Sequence, residues 1–153
     1  MITNALLVTY TDLVLSMNLG TIKGKNAVSK PLYLLSIIEA IEWGELKENE
    51  ICLDNQFLRK RFGQLYEQIN NNRKGYESSF FVRPFFHLNS SSFYDLLWKP
   101  NSEKPNNSTT PSAKYLRENL LYAKLDDELW NLLQDAESRD YLKRSIIKRY
   151  LTK

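Results

Sequence analysis

The residue pattern of this chain predicts an α+β domain, predominantly helical, with about six helices, a small β-hairpin and a polar surface loop. Three observations carry that prediction. Apolar residues recur at helical spacing before position 70 and again after Ser112; the helical period disappears between Gly75 and Trp98; and residues 99–112, KPNSEKPNNSTTPS, hold three prolines and no large apolar side chain. With 153 residues, 42% of them hydrophobic and 25% charged, the chain can bury one core, so residues 1–153 read as a single domain.

Thr3 and Asn4 are capping types, and Leu6, Tyr10, Leu13, Val14 and Met17 follow at helical steps, which places a first amphipathic helix ending near Gly20. Residues 20–30 carry Lys23, Lys25 and Lys30 among Gly, Asn and Ser and read as an exposed basic loop. Pro31 suits the opening of a second helix, apolar on nearly every side until Glu39 and closed by Gly44, as for an element packed in the centre. A short extended piece at residues 51–53 follows, with Asp54 as N-cap of a third helix whose Leu58, Phe62, Leu65 and Ile69 form one buried stripe. Phe85-Phe86-His87-Leu88 and Phe93-Tyr94-Asp95-Leu96 flank a polar turn, Asn89 to Ser92, and read as the hairpin. Helices resume after Ser112. Asp126 caps a segment with Leu129, Trp130, Leu132 and Leu133 inward, and a basic last helix spans residues 138–151.

Much chemistry is excluded by arithmetic. His87 and Cys52 are the only His and Cys, too few for a zinc site, and Cys52 between Ile51 and Leu53 reads as a buried thiol. Glu45-Leu46-Lys47 matches a fragment common in nucleases but lacks a partner Asp, and residues 20–26 are one residue short of a phosphate-binding loop. No serine elbow is present. The chain is therefore expected not to be an enzyme and to need no metal or cofactor. No apolar run approaches the roughly 18 residues that span a bilayer, and the first residues do not resemble a signal peptide, so a cytoplasmic protein without a membrane partner is expected.

What remains is charge and its placement. The net charge is only +3, but basic residues cluster. Lys23, Lys25, Lys60, Arg61 and Lys74 are the candidate contacts to DNA phosphates. On the exposed side of the third helix, Gln56, Lys60 and Gln64 are spaced to reach base edges in a major groove.

Three stretches resemble a known family. Lys30-Pro-Leu-Tyr-Leu-Leu35, Pro84-Phe-Phe-His-Leu88, and the distal run from Ala123 to Asp135 with Arg139 and Leu142 to Tyr150 are similar in order and spacing to the sulfur-binding domain of HNH-type, phosphorothioate-dependent type IV restriction endonucleases. That resemblance implies a mostly helical domain that binds double-stranded DNA in which sulfur replaces a nonbridging phosphate oxygen, with cleavage supplied by a nuclease domain in cis or in trans. It also implies a shallow, partly apolar sulfur pocket from Ser29, Lys30, Pro31, Arg83, Pro84, Phe85 and His87, and base reading by Lys104, Asn106, Asn107 and Ser108 of the polar loop. Two positions depart from the family pattern. Ser29 stands where a His is common, and Arg83 where a Tyr commonly precedes the proline. The competing functions are a reader of unmodified or methylated DNA and a helical protein–protein adaptor. The chain stops soon after Tyr150, before any HNH segment, which fits either a separately expressed recognition domain or a stand-alone reader.

Overall fold

The most buried segment of the chain is a helix with almost no polar side. In the computed structural model, which describes residues 4–19, 21–22, 25–26, 28–69 and 78–151, helix α2 (Ser29–Glu42) has every residue from Pro31 to Ile41 buried. Around it pack α3 (Gln56–Ile69), α4 (Val82–His87) and α7 (Ala136–Ile146), and α1 (Asn4–Leu15) lies against α7. Short helices α5 (Ala113–Asn119) and α6 (Asp127–Leu132) complete the α-helices of the described residues. β1 (Thr21–Ile22) and β2 (Lys25–Asn26) form a minimal antiparallel pair; β3 (Tyr94–Trp98) and β4 (Leu120–Leu125) form a longer one, in register Tyr94↔Leu125 and Leu96↔Ala123 with a bulge at Leu97/Trp98. An α+β, predominantly helical domain is thus what the chain forms.

The predicted hairpin is corrected in place and partner. Residues 82–87 are helical, Leu88–Ser90 continue as a 3₁₀ turn, and β3 pairs across more than twenty residues with β4, inside a stretch expected to be helical. The reason is tertiary. Phe81, Val82, Phe85, Phe86 and Leu88 are all buried, a spacing that only a helix can turn toward α2, and Pro84 falls in the first helical turn, where its missing N–H is no loss. β4 in turn holds Ile51 on its other edge through reciprocal backbone bonds with Ala123 of 2.7 and 2.8 Å.

Smaller corrections follow the same logic. The extended segment at Ile51 alternates sides, so Ile51 and Leu53 are buried while Cys52 between them is exposed, against the expected buried thiol. Asn55, not Asp54, caps α3 by accepting from the Leu58 N–H at 2.9 Å, because Asp54 is held in a two-point ion pair with Arg117. Leu13, within the first stripe, and Ile69, at the end of the third helix's stripe, are more than a third exposed. Gly44 has φ of +73°, the left-handed geometry that ends α2.

Candidate nucleic-acid interface

Two helix starts meet at one cleft. The first turn of α2 brings Ser29 and Lys30; α4 brings Arg83, Pro84 and, one turn on, His87; the polar loop brings Asn107, Ser108 and Thr110. Asn18, Leu19, Tyr66, Phe80 and Ser90 complete an open cleft of about 500 Å³. Among the described residues that line it, three carry basic side chains and none is Asp or Glu.

The pocket helix is fixed from beneath. Tyr33 of α2 and Tyr94 of β3 share a buried hydroxyl contact of 2.8 Å, and the Tyr94 hydroxyl donates to the Phe85 carbonyl at 2.6 Å. Burial raises the pKa of both phenols, so these groups remain neutral hydrogen-bonding partners. The Tyr33 ring also meets Phe81, Phe85 and Tyr94 edge-on. Phe85 is therefore core. It does not line the cleft, nor does Pro31, which is buried in α2. The helix aligns Arg83, Pro84, His87 and Ser90 along the cleft, where Pro84, largely buried, joins Leu19 and Phe80 as apolar lining.

Lys30 reaches over the cleft from α2. Its Nζ donates to the Asn18 carbonyl at 2.6 Å and to Ser90 Oγ at 3.0 Å, neutral acceptors only, and burial lowers its pKa. His87 Nε2 lies 2.8 Å from Thr110 Oγ1. Burial, then the nearby charges of Lys30 and Arg83, hold the imidazole below its ordinary range. Lys30, partly withdrawn from water, beside exposed Arg83, with no carboxylate among the described lining, makes the cleft suited to an anion.

The polar loop is tied to this cleft. Besides the His87–Thr110 contact, Asn89 Nδ2 approaches Asn107 Oδ1 at 3.4 Å, and Asn106 Oδ1 accepts from both the N–H and the hydroxyl of Ser108. Lys104 and Asn106 are exposed but do not line the cleft, whereas Asn107 and Ser108 do. Ser112 ends the loop by capping α5 at the Tyr115 N–H.

The phosphate candidates divide. Lys60 is exposed on α3, as are Gln56 and Gln64. Arg61 is not offered to solvent in the way expected, for it binds both carboxylate oxygens of buried Glu39, at 2.5 and 3.2 Å, and lies over the Trp43 ring. Lys25 belongs to β2; Lys23 and Lys74 lie outside the described residues. Sequence reasoning missed Ser90 and Thr110. Ser90 becomes legible once residues 83–90 are read as helical, at i+7 from Arg83; nothing in the Thr109-Thr110 pair marks it.

Two solved structures share the fold of this chain. The chain aligns with the sulfur-binding domain of ScoMcrA complexed with phosphorothioated DNA, at TM-score 0.70 and 17% identity, over 92% of this chain and 86% of that one. The chain shares its fold with that domain. The Type IV phosphorothioation-dependent restriction endonuclease ScoMcrA aligns equally well, at TM-score 0.69 and 17% identity over 92% of this chain, which spans 29% of that protein. No protein-family model and no curated protein matches the sequence. Among the described residues no three potential metal ligands come together, and no helix is long and apolar enough to cross a membrane.

Proposed function

We propose that this chain recognises phosphorothioate-modified double-stranded DNA, seating the sulfur against Pro84 while Lys30 and Arg83 hold the remaining phosphate oxygen. The observation that supports it most is the cleft itself: a proline face between Lys30, Arg83 and His87, with no acidic side chain among its described lining, on a fold shared with a domain solved with phosphorothioated DNA.

The discrimination follows from hydration. Sulfur is larger and softer than oxygen and holds water less tightly, so moving it against a proline ring loses little. A phosphate oxygen in the same place gives up hydrogen bonds without replacement, a penalty of about 1 to 3 kcal/mol. That is about ten- to a hundredfold in affinity. Lys30 and Arg83 supply charge-assisted bonds that do not tell sulfur from oxygen. Asn107 and Ser108, on the rim, and Lys104 and Asn106 beyond it, have the donors and acceptors to read neighbouring base edges.

In this reading cleavage belongs to a separate nuclease domain, in cis or in trans, which the chain directs to modified DNA. Titration with matched duplexes that differ in one sulfur atom tests recognition. Equal affinity for the two, at a salt concentration where binding is specific, would leave only a general DNA-binding domain. Incubation of modified plasmid with the chain and Mg²⁺ or Mn²⁺ tests the division of labour, the expected result being intact plasmid.

A further inference from the structure

We propose that the cleft takes up its phosphate together with a proton carried on the His87 imidazole, so that His87 is a direct contact to the anion and recognition strengthens as pH falls. This rests on the function proposed above and adds a contact and a regulation to the same site.

The geometry comes first. His87 stands one turn beyond Arg83 and Pro84 on α4, half-buried in the cleft wall, with Nε2 at 2.8 Å from Thr110 Oγ1. The ionisable groups that face the cleft with it are Arg83 from the same helix, Lys30 from α2 and Tyr66 from α3; the loop contributes only Asn107, Ser108 and Thr110. No carboxylate is among these described residues. An imidazolium in the empty cleft would be a third cation beside two others, partly removed from water. Burial and the Lys30 and Arg83 charges accordingly disfavour the proton.

A phosphodiester or phosphorothioate in the cleft reverses the second of these causes. Its negative charge offsets Lys30 and Arg83, and an imidazolium N–H gains an acceptor, so the bound state favours the proton that the free state rejects. Coupling of this kind is reciprocal: whatever factor the anion adds to proton affinity, the proton adds to anion affinity. The sign is then fixed. Above the bound-state pKa affinity is flat; as pH falls from there toward the lower free-state pKa, affinity rises about tenfold per unit; below the free-state value it is flat again.

His87 is the only histidine in the chain, so its ring protons give a single reporter in the whole protein. The experiment is an NMR titration of that ring over about pH 5 to 8, free and with a short phosphorothioate duplex, beside duplex affinities at fixed ionic strength for wild type and His87→Gln. An upward move of the midpoint on binding, with a pH slope in wild type that is absent in His87→Gln, is the expected result. A midpoint that stays put while the sulfur duplex binds, or a slope that survives in His87→Gln, overturns the proton-coupled contact and leaves sulfur recognition standing. Sulfur and oxygen duplexes binding alike at every pH would instead overturn sulfur recognition, and a midpoint shifted by both would still uphold the coupled anion site. Failure of both duplexes to bind at any pH overturns both.

Discussion

The two ends of α2 carry similar side chains to opposite purposes. At its C-terminal end Glu39, only 5% exposed, is gripped by Arg61 and also approached by Lys143 at 3.3 Å, which pairs with Glu42 at 3.2 Å. Its N-terminal end presents Lys30 beside Arg83 and His87, and the acceptors of Lys30 are a carbonyl and a hydroxyl. Basic residues at the first end neutralise a buried carboxylate and hold α2, α3 and α7 together. At the second no carboxylate is among the described residues that line the cleft, an arrangement suited to an anion from outside. A cation's role is thus set by its counterion, which a linear sequence does not display.

The largest expected effect tests the C-terminal end. Removing Glu39 by Glu39→Ala strands Arg61 and leaves Lys143 with Glu42 alone, and breaking a buried pair from one side costs about 3 to 5 kcal/mol. With those cations a fifth to a quarter exposed, the loss should lie near about 3 kcal/mol. Urea unfolding measures it. The preference for sulfur over oxygen duplexes should survive in the variant; a variant as stable as wild type would return Arg61 to the candidate phosphate contacts.

At the other end the effect falls on binding. Pro84→Asp places a carboxylate where the sulfur would rest and should remove the about ten- to hundredfold preference for modified DNA. Lys30→Ala should weaken both ligands and keep most of their ratio. If Lys30→Ala erased the ratio and Pro84→Asp spared it, the assignment of roles within the cleft would be inverted.

Salt dependence separates the two ends by which cations meet DNA phosphates. Each phosphate neutralised by Lys or Arg contributes about 0.9 to the slope of log affinity against log salt. Lys30→Ala should reduce that slope by about this amount, and Lys60→Ala likewise if the exposed face of α3 meets the backbone. Arg61→Ala should leave it unchanged. A salt-independent wild type would instead favour the protein–protein adaptor.

How far the sequence disclosed all this differs by element. Periodicity found α2 and most of α3, since the buried stripes of both repeat at helical steps within one segment. It failed at residues 82–90, where aromatic and β-branched residues favour a strand locally but Phe81, Phe85 and Leu88 are all needed against α2. In the helix Phe85, one of the expected pocket residues, turns into the core while Arg83, Pro84 and His87 line the cleft. β4 was invisible for a related reason: its partners, β3 and Ile51, lie far away along the chain. Lys30, Arg83, Pro84 and His87 were legible only through the resemblance, and the Arg61–Glu39 pair not at all, since the two are 22 residues apart.

The smallest expected effect lies in the loop, and the structure narrows how it must be tested. Replacing all of residues 99–112 would remove Thr110, which holds His87, and Ser112, which caps α5, so a lost preference could not be assigned. Exchanging only residues 104–108 for Gly and Ser keeps both bonds while deleting Lys104, Asn106 and Asn107 as donors and acceptors. If these side chains read bases beside the modified phosphate, each good bidentate contact contributes about 1 to 3 kcal/mol of discrimination, and the exchange should flatten the ranking of flanking sequences. Sulfur selectivity, proposed above to rest on Pro84 of α4, should persist. Competition binding with duplexes that vary only in their flanks measures the first and a matched oxygen duplex the second. A ranking that survives the exchange would show that base reading, if any, belongs to the Gln56, Lys60 and Gln64 face of α3; loss of both preferences together would show that the loop shapes the cleft itself.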